Sequence, residues 1–144
     1  MAAINTGKVV VAGLAAGLVM NVIDFASNAL IFGERMKASL DALNPQLWDR
    51  MNQTGTMVTF IIVDFILGIL LVWLYAAIRT RFGPGFNTAL KAAIYFWVLA
   101  MVFWYTVSVM FGLPMSNLAL VGAVGLVNTI AAAWVGGRLY SEPA

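Results

Sequence analysis

Asp24 and Asp64 each sit inside an apolar run of a 144-residue chain that contains no His and no Cys. An acid in a membrane span costs at least about 2.5–3.5 kcal/mol near mid-span, and less nearer the surface, so something must offset it. No Lys or Arg occurs at matching depth in any apolar run. The partners left are a proton, amides and hydroxyls, water or a bound cation. Two nearby carboxylates in a low dielectric do not both ionise readily, so the pair is expected to retain a proton. That is the chemistry of proton exchange or cation binding. The missing residue types remove disulfides, thiolate metal sites, His-based zinc or haem ligation and the Ser-His-Asp triad. No metal site and no cofactor are expected.

The neighbours of the two acids form stripes. Gly13, Gly17, Asn21, Asp24 and Asn28 are spaced four, four, three and four residues apart, which places them on one helical face. Asp64, Gly68, Leu71 and Tyr75 follow one line. Gly122, Gly125, Thr129, Ala132 and Gly136 make a third ridge, with Asn128 beside it. The candidate proton- or ligand-binding set is therefore Asp24, Asp64, Asn21, Asn28, Asn128 and Tyr105. The candidate packing set is Gly13, Gly17, Gly68, Gly122 and Gly125, because helices in lipid associate through small residues and polar contacts. The plainer reading of the asparagines is interhelical glue, worth about 0.6 kcal/mol each. Aromatic residues from Tyr95 to Phe111 crowd the third apolar run, either facing lipid or caging an organic cation.

Positioning these residues falls to membrane helices. A soluble domain has about 25% charged and 45–50% apolar residues; this chain has 10% and 62%, with a mean hydropathy of +0.93. Runs of about 20 apolar residues cross a bilayer core of about 30 Å. Four qualify, at about 8–32, 57–78, 88–111 and 116–140. Open strand edges cannot be left unsatisfied in lipid, and the alternation of a barrel strand is absent. The expected fold is an all-α membrane protein, a single domain built as an antiparallel four-helix bundle. Gly83-Pro84-Gly85 and Gly112-Leu113-Pro114 make the two short turns that antiparallel neighbours need. The first span is too long for an ordinary signal peptide and is expected to stay.

Residues 33–56 are too many for a simple helix–helix link of about 2–8 residues. Met36, Leu40, Leu43, Leu47 and Met51 share one helical face, and Asn44-Pro45 interrupts the run. Two short amphipathic helices over about 34–53 are expected at the outer membrane surface, with Trp48 at headgroup level. They either pack on the bundle or gate a cavity beneath.

Five basic residues (Lys8, Arg79, Arg81, Lys91, Arg138) fall on one side, with Glu142 its only acid; three (Arg35, Lys37, Arg50) fall on the other. That bias places both termini in the cytoplasm. Asp24 lies eight residues before Phe32, roughly 12 Å below the outer surface, and Asp64 seven residues after Met57, roughly 10 Å below it. Asn21 and Asn128 fall deeper, at roughly 16–18 Å. The two carboxylates are therefore expected to match in depth and face each other.

The run Leu74-Tyr75-Ala76-Ala77-Ile78-Arg79-Thr80-Arg81-Phe82-Gly83-Pro84-Gly85-Phe86-Asn87-Thr88-Ala89 resembles a junction in a family of small bacterial four-span integral membrane proteins. Ala12-Gly13-Leu14-Ala15-Ala16-Gly17-Leu18-Val19, followed by Asn21 and an acid, resembles that family's first span. The resemblance implies a bacterial inner-membrane location and no activity. In layout alone the chain is similar to small multidrug transporters, with four spans, an acid in the first and aromatics in the third. Lipoprotein signal peptidases also carry two aspartates near the outer surface, but their surrounding motifs are absent here. Ile62-Val63 stands before Asp64 where presenilin-like proteases have Gly-x-Gly. The chain is not expected to be an enzyme.

Two functional classes follow. One is a small transporter or permeation protein whose Asp24/Asp64 pair binds a proton, a cation or a cationic solute. The other is a non-catalytic accessory or scaffold subunit whose glycine stripes contact other proteins. Membrane lipid is the expected partner, with a homo-oligomer or a larger membrane complex as the protein partners; a net charge of +2 is too small and dispersed for nucleic acid.

Overall fold

The computed structural model describes residues 4–141; Glu142, counted above with the termini, lies outside the described residues. Helices dominate: α1 (Thr6–Ser27), a π-helical turn (Asn28–Phe32), α2 (Gly33–Leu43), α3 (Gln46–Met51), α4 (Thr54–Phe82), α5 (Phe86–Phe111) and α6 (Met115–Leu139). Four stretches are long and apolar enough to cross a membrane, beginning at Thr6, Thr54, Phe86 and Met115. The chain is an all-α, antiparallel four-helix membrane bundle. The end that carries the chain termini is called the terminal end below, and the end that carries α2 and α3 the lid end.

Local chemistry accounts for the boundaries. The Asn5 side chain accepts from the Lys8 N–H at 3.1 Å and starts α1. Gly83 (φ 80°) and Gly85 (φ 127°) supply the backbone of the turn into α5. The Gly85 N–H donates to the Tyr75 hydroxyl at 3.2 Å, fixing that turn to the side of α4. At the end of α5, Gly112 (φ 65°) is left-handed and the Leu113 N–H returns to the Ser108 carbonyl at 2.9 Å. That is a Schellman ending, which turns the chain within three residues.

The helices are not equivalent. α1 lies between α4 and α6, α5 packs on α6, and α4 meets α5 less extensively. The buried core is rich in alanine: Ala12 and Ala16 of α1, Ala92 and Ala93 of α5, Ala132 and Ala133 of α6, closed by Leu71, Val72 and Tyr75 of α4. Lipid is as apolar as these side chains, so close backbone approach replaces the hydrophobic drive. The core occupies the terminal half. In the lid half the buried core ends, and Phe60, Ile61 and Ile62 of α4 and Val102 and Phe103 of α5 are all exposed.

The lid contains two amphipathic helices broken at Asn44-Pro45, where the Asn44 side chain accepts from the Gln46 N–H at 2.9 Å. No residue of α2 or α3 is buried. Their apolar face (Met36, Leu40, Leu47 and Met51) is half-buried, which suits helices lying in an interface. Among the described residues a single side-chain bond, from Asn117 Nδ2 to Ser39 Oγ at 2.8 Å, ties α2 to the start of α6. Unlike the separate loop helices expected from sequence, α2 continues α1. Gly33, read from sequence as the end of the span, has φ −46° and ψ −60°, ordinary helical values, and the π turn joins α1 to α2 without a break.

Candidate functional site

Glycines set the register of α1 against α4. An ideal Cβ placed on Gly13 would lie 2.5 Å from the Ile69 Cα, and one on Gly17 2.6 Å from the Phe65 Cα. One on Gly68 would lie 2.5 Å from the Gly13 carbonyl oxygen. No side chain fits at any of the three. One turn further along, Asn21 Nδ2 donates to the Gly17 carbonyl of its own helix at 3.0 Å and to the Ile61 carbonyl of α4 at 3.3 Å. Gly13 with Ile69, Gly17 with Phe65 and Asn21 with Ile61 all fall in one antiparallel register.

That register corrects the expected depth match. Asp64 lies level with Leu18, six residues and roughly 9 Å along the axis from Asp24. Side chains on a helix lean toward its N-terminus. Asp24 on α1 therefore leans toward the terminal end and Asp64 on α4 toward the lid end, so the two converge. Among the described residues no hydrogen bond joins them. The pair is staggered, not face to face.

Asp24 takes its direct partner from α6. Asn128 Nδ2 donates to Asp24 Oδ1 at 2.7 Å. The lean of opposed helices again closes the gap, since Asn128 sits deeper than Asp24 and reaches toward the lid end. Asn128 is only 6% exposed, and its Oδ1 has no hydrogen-bond partner among the described residues. Beside it the Thr129 hydroxyl donates to the Gly125 carbonyl at 2.9 Å, so it offers that oxygen nothing. Asp24 is exposed and Asp64 half-buried, where the packed core gives way to the lid half. Among the described residues the one ion pair is Lys37–Asp41 in α2, so neither aspartate has a basic partner.

The remaining candidates are distributed around this cluster. Asn21 belongs to the α1–α4 seam. Asn28 opens the π turn, exposed, about one turn beyond Asp24. Tyr105 is 54% exposed on α5, which makes no extensive contact with α1; its hydroxyl is not brought to the aspartates. Gly122 and Gly125 lie under α5, where the Trp97 indole N–H donates to the Gly122 carbonyl at 2.8 Å. An added Cβ at Gly122 would meet Met101 Sδ at 3.1 Å, but at Gly125 it would meet Trp97 at an ordinary 3.8 Å.

Two features escaped the sequence reading. Trp97 staples α5 to α6, although from the sequence it is one of many aromatics in its span. Ser27 is buried and its hydroxyl donates back to the Ile23 carbonyl just before the π turn. Such back-bonding bends helices; a hydroxyl one residue ahead of the polar Asn28 was the available signal.

The arrangement suits a proton better than a caged metal. Among the described residues no three acidic side chains converge. An asparagine amide has a donor end and an acceptor end. Its N–H serves the Asp24 carboxylate as placed; turned over, its oxygen would accept from the carboxylic acid. Asn128 can therefore satisfy Asp24 in both protonation states. An apolar cleft of about 440 Å3, lined by Ile23, Ser27, Leu30, Ala123, Val124 and Val127, runs between α1 and α6 nearby, but neither aspartate lines it. Comparison of the chain with protein-family models, with curated proteins and with solved structures gives no match, so the site stands on its own geometry.

Proposed function

We propose that this protein is a small transporter or permeation protein of the bacterial inner membrane, with both termini cytoplasmic. It exchanges a proton, or a small cation in its place, at Asp24 with Asn128 as the adjustable partner and Asp64 as the second acid. The observation that carries the reading is the Asp24–Asn128 bond at 2.7 Å, with an unused buried amide oxygen and, among the described residues, no basic side chain paired to the acid. A purely structural acid would be neutralised by a cation or saturated by donors, because an unpaired charge in a span is costly. A bulky organic cation is disfavoured: neither described cavity is lined by either aspartate.

The packing of the glycines argues against the accessory-subunit reading. Gly13, Gly17 and Gly68 pack against one another inside the bundle, which leaves them no face for another protein. What favours it is the exposed apolar surface of the lid half, a surface that lipid covers equally well.

The test is proton flux in vesicles holding the purified protein and a trapped pH indicator, driven by a potassium diffusion potential. Flux above protein-free vesicles, lost in Asp24→Asn and slowed in Asn128→Ala, supports the reading. Equal flux with and without protein removes it.

A further inference from the structure

A second polar site lies at the opposite end of the bundle from the aspartates. A cavity of about 320 Å3 opens between the C-terminal turns of α4 and α6 and the start of α5. Arg79 of α4 and Arg138 of α6 both line it, together with Ser141 and the Gly85-Phe86 entry to α5. Each guanidinium is held over an aromatic ring, Arg79 at 5.4 Å from the centre of Tyr140 and Arg138 at 4.8 Å from that of Trp134. Stacking occupies the face of a guanidinium and leaves its N–H edge to donate. The Tyr140 ring is itself braced edge-on against Tyr75, at 6.2 Å and 88°. The two cationic groups are thus positioned by aromatic walls rather than left as loose surface arginines.

Among the described residues the charge around the cavity has one sign. Lys8, Arg79, Arg81, Lys91 and Arg138 all belong to the terminal end, while the described acids (Asp24, Glu34, Asp41, Asp49 and Asp64) all lie toward the lid. Among the described residues no carboxylate pairs with either arginine. The start of α5 adds to the field. It has no side-chain cap, and its first intrahelical bond comes from Ala89 N–H to the Gly85 carbonyl at 3.1 Å. The N–H groups of Phe86, Asn87 and Thr88 therefore have no acceptor within the helix. Two guanidinium groups and the positive end of a 26-residue helix border one cavity. A neutral or cationic ligand would gain nothing from that set; an anion with several acceptor oxygens matches it.

We propose that this cavity binds the phosphate headgroup of an anionic membrane lipid, with Arg79 and Arg138 on the phosphate oxygens. The placement favours a lipid over a soluble phosphate. The cavity sits at the ends of membrane spans, and Phe86 and Trp134, which line it, are each about half exposed, as are Phe82 and Leu139. Its volume is at the low end of the about 300–1,000 Å3 typical of small-ligand pockets. It admits a phosphate and a glycerol-sized headgroup, and leaves the acyl chains to run along the exposed helix faces. A lipid bound there would join α4, α5 and α6 at the end where the core is densest.

The test is native mass spectrometry of the full chain, purified in detergent and given equal phosphatidylglycerol and phosphatidylcholine. Basic residues near an anionic headgroup are each worth about 5-fold, so two predict retention of phosphatidylglycerol over phosphatidylcholine by roughly 30-fold. Arg79→Gln with Arg138→Gln should abolish that preference, whereas Arg81→Gln, outside the lining, should preserve it. If the double variant is not monodisperse, Arg138→Gln alone, on an exposed side chain, should lower the preference by about 5-fold. Equal retention of the two lipids by the wild type, or a preference unchanged by the arginine substitutions, overturns the proposal. Displacement of bound phosphatidylglycerol by millimolar glycerol 3-phosphate would assign the cavity to a soluble phosphate and overturn the lipid assignment.

Discussion

Replacing Gly17 by alanine adds one methyl group at the tightest seam of the bundle. The new Cβ would stand 2.6 Å from the Phe65 Cα and 2.9 Å from the Asp64 carbonyl oxygen, both backbone atoms that no rotamer change can move. Ordinary van der Waals contact begins near 3.4 Å, so α1 and α4 must separate by roughly 0.8 Å, a movement that over-packed sites resist at a cost of about 1–3 kcal/mol. That separation also stretches the bond from Asn21 Nδ2 to the Ile61 carbonyl, already 3.3 Å long, and an interhelical hydrogen bond in lipid is worth about 0.6 kcal/mol. The sum is a loss of about 1.6–3.6 kcal/mol. Gly125→Ala is the matched control, because its added Cβ meets only the Trp97 ring at 3.8 Å, and a change there should stay within about 0.5 kcal/mol. Equilibrium unfolding in mixed detergent–SDS micelles reads both. If Gly17→Ala is no more destabilising than Gly125→Ala, the glycine register is wrong, and with it the staggered placement of the aspartates.

Three further outcomes follow from other contacts. Trp97→Phe removes the indole bond to the Gly122 carbonyl and keeps most of the ring, so it should cost about 0.6 kcal/mol in the same unfolding assay. Asn117→Ala cuts the one side-chain tie from α6 to the lid; global stability should fall by less than about 1.5 kcal/mol, while proteolysis near Asn44-Pro45 accelerates. Asp64→Asn should reduce proton flux less than Asp24→Asn does, since Asn128 bonds Asp24 and not Asp64; equal loss would mean the two acids work as one unit.

The spans were legible because a bilayer imposes a length and an apolar composition that few soluble sequences meet. Their ends were less so: α4 runs Thr54–Phe82 rather than about 57–78, because Thr54-Gly55-Thr56 and Arg79-Thr80-Arg81 are helical without being apolar. The break at Asn44-Pro45 was legible from proline's missing N–H. The continuous passage from α1 into α2 was not, because Gly33 carries no mark that distinguishes a helical glycine from a terminal one. At the site, residue types identified Asp24 and Asn128, but residue counts from the span ends could not give their neighbours. Register is set by where Gly13, Gly17 and Gly68 interlock, and that moved Asp64 a turn and a half away from the level of Asp24. The lean of side chains along opposed helices then restored contact where counting alone implied a gap, as between Asp24 and the deeper Asn128.

The most direct measurement of the central proposal is infrared difference titration of the protein in lipid, wild type against Asp24→Asn. A proton carried by Asp24 predicts a carboxylic-acid carbonyl band that grows as pH falls, disappears in Asp24→Asn and shifts in frequency in Asn128→Ala, where the hydrogen-bond partner is gone. A titration in which Asp24→Asn removes no carboxylic-acid band, at any pH where the protein stays folded, would contradict proton exchange at this site.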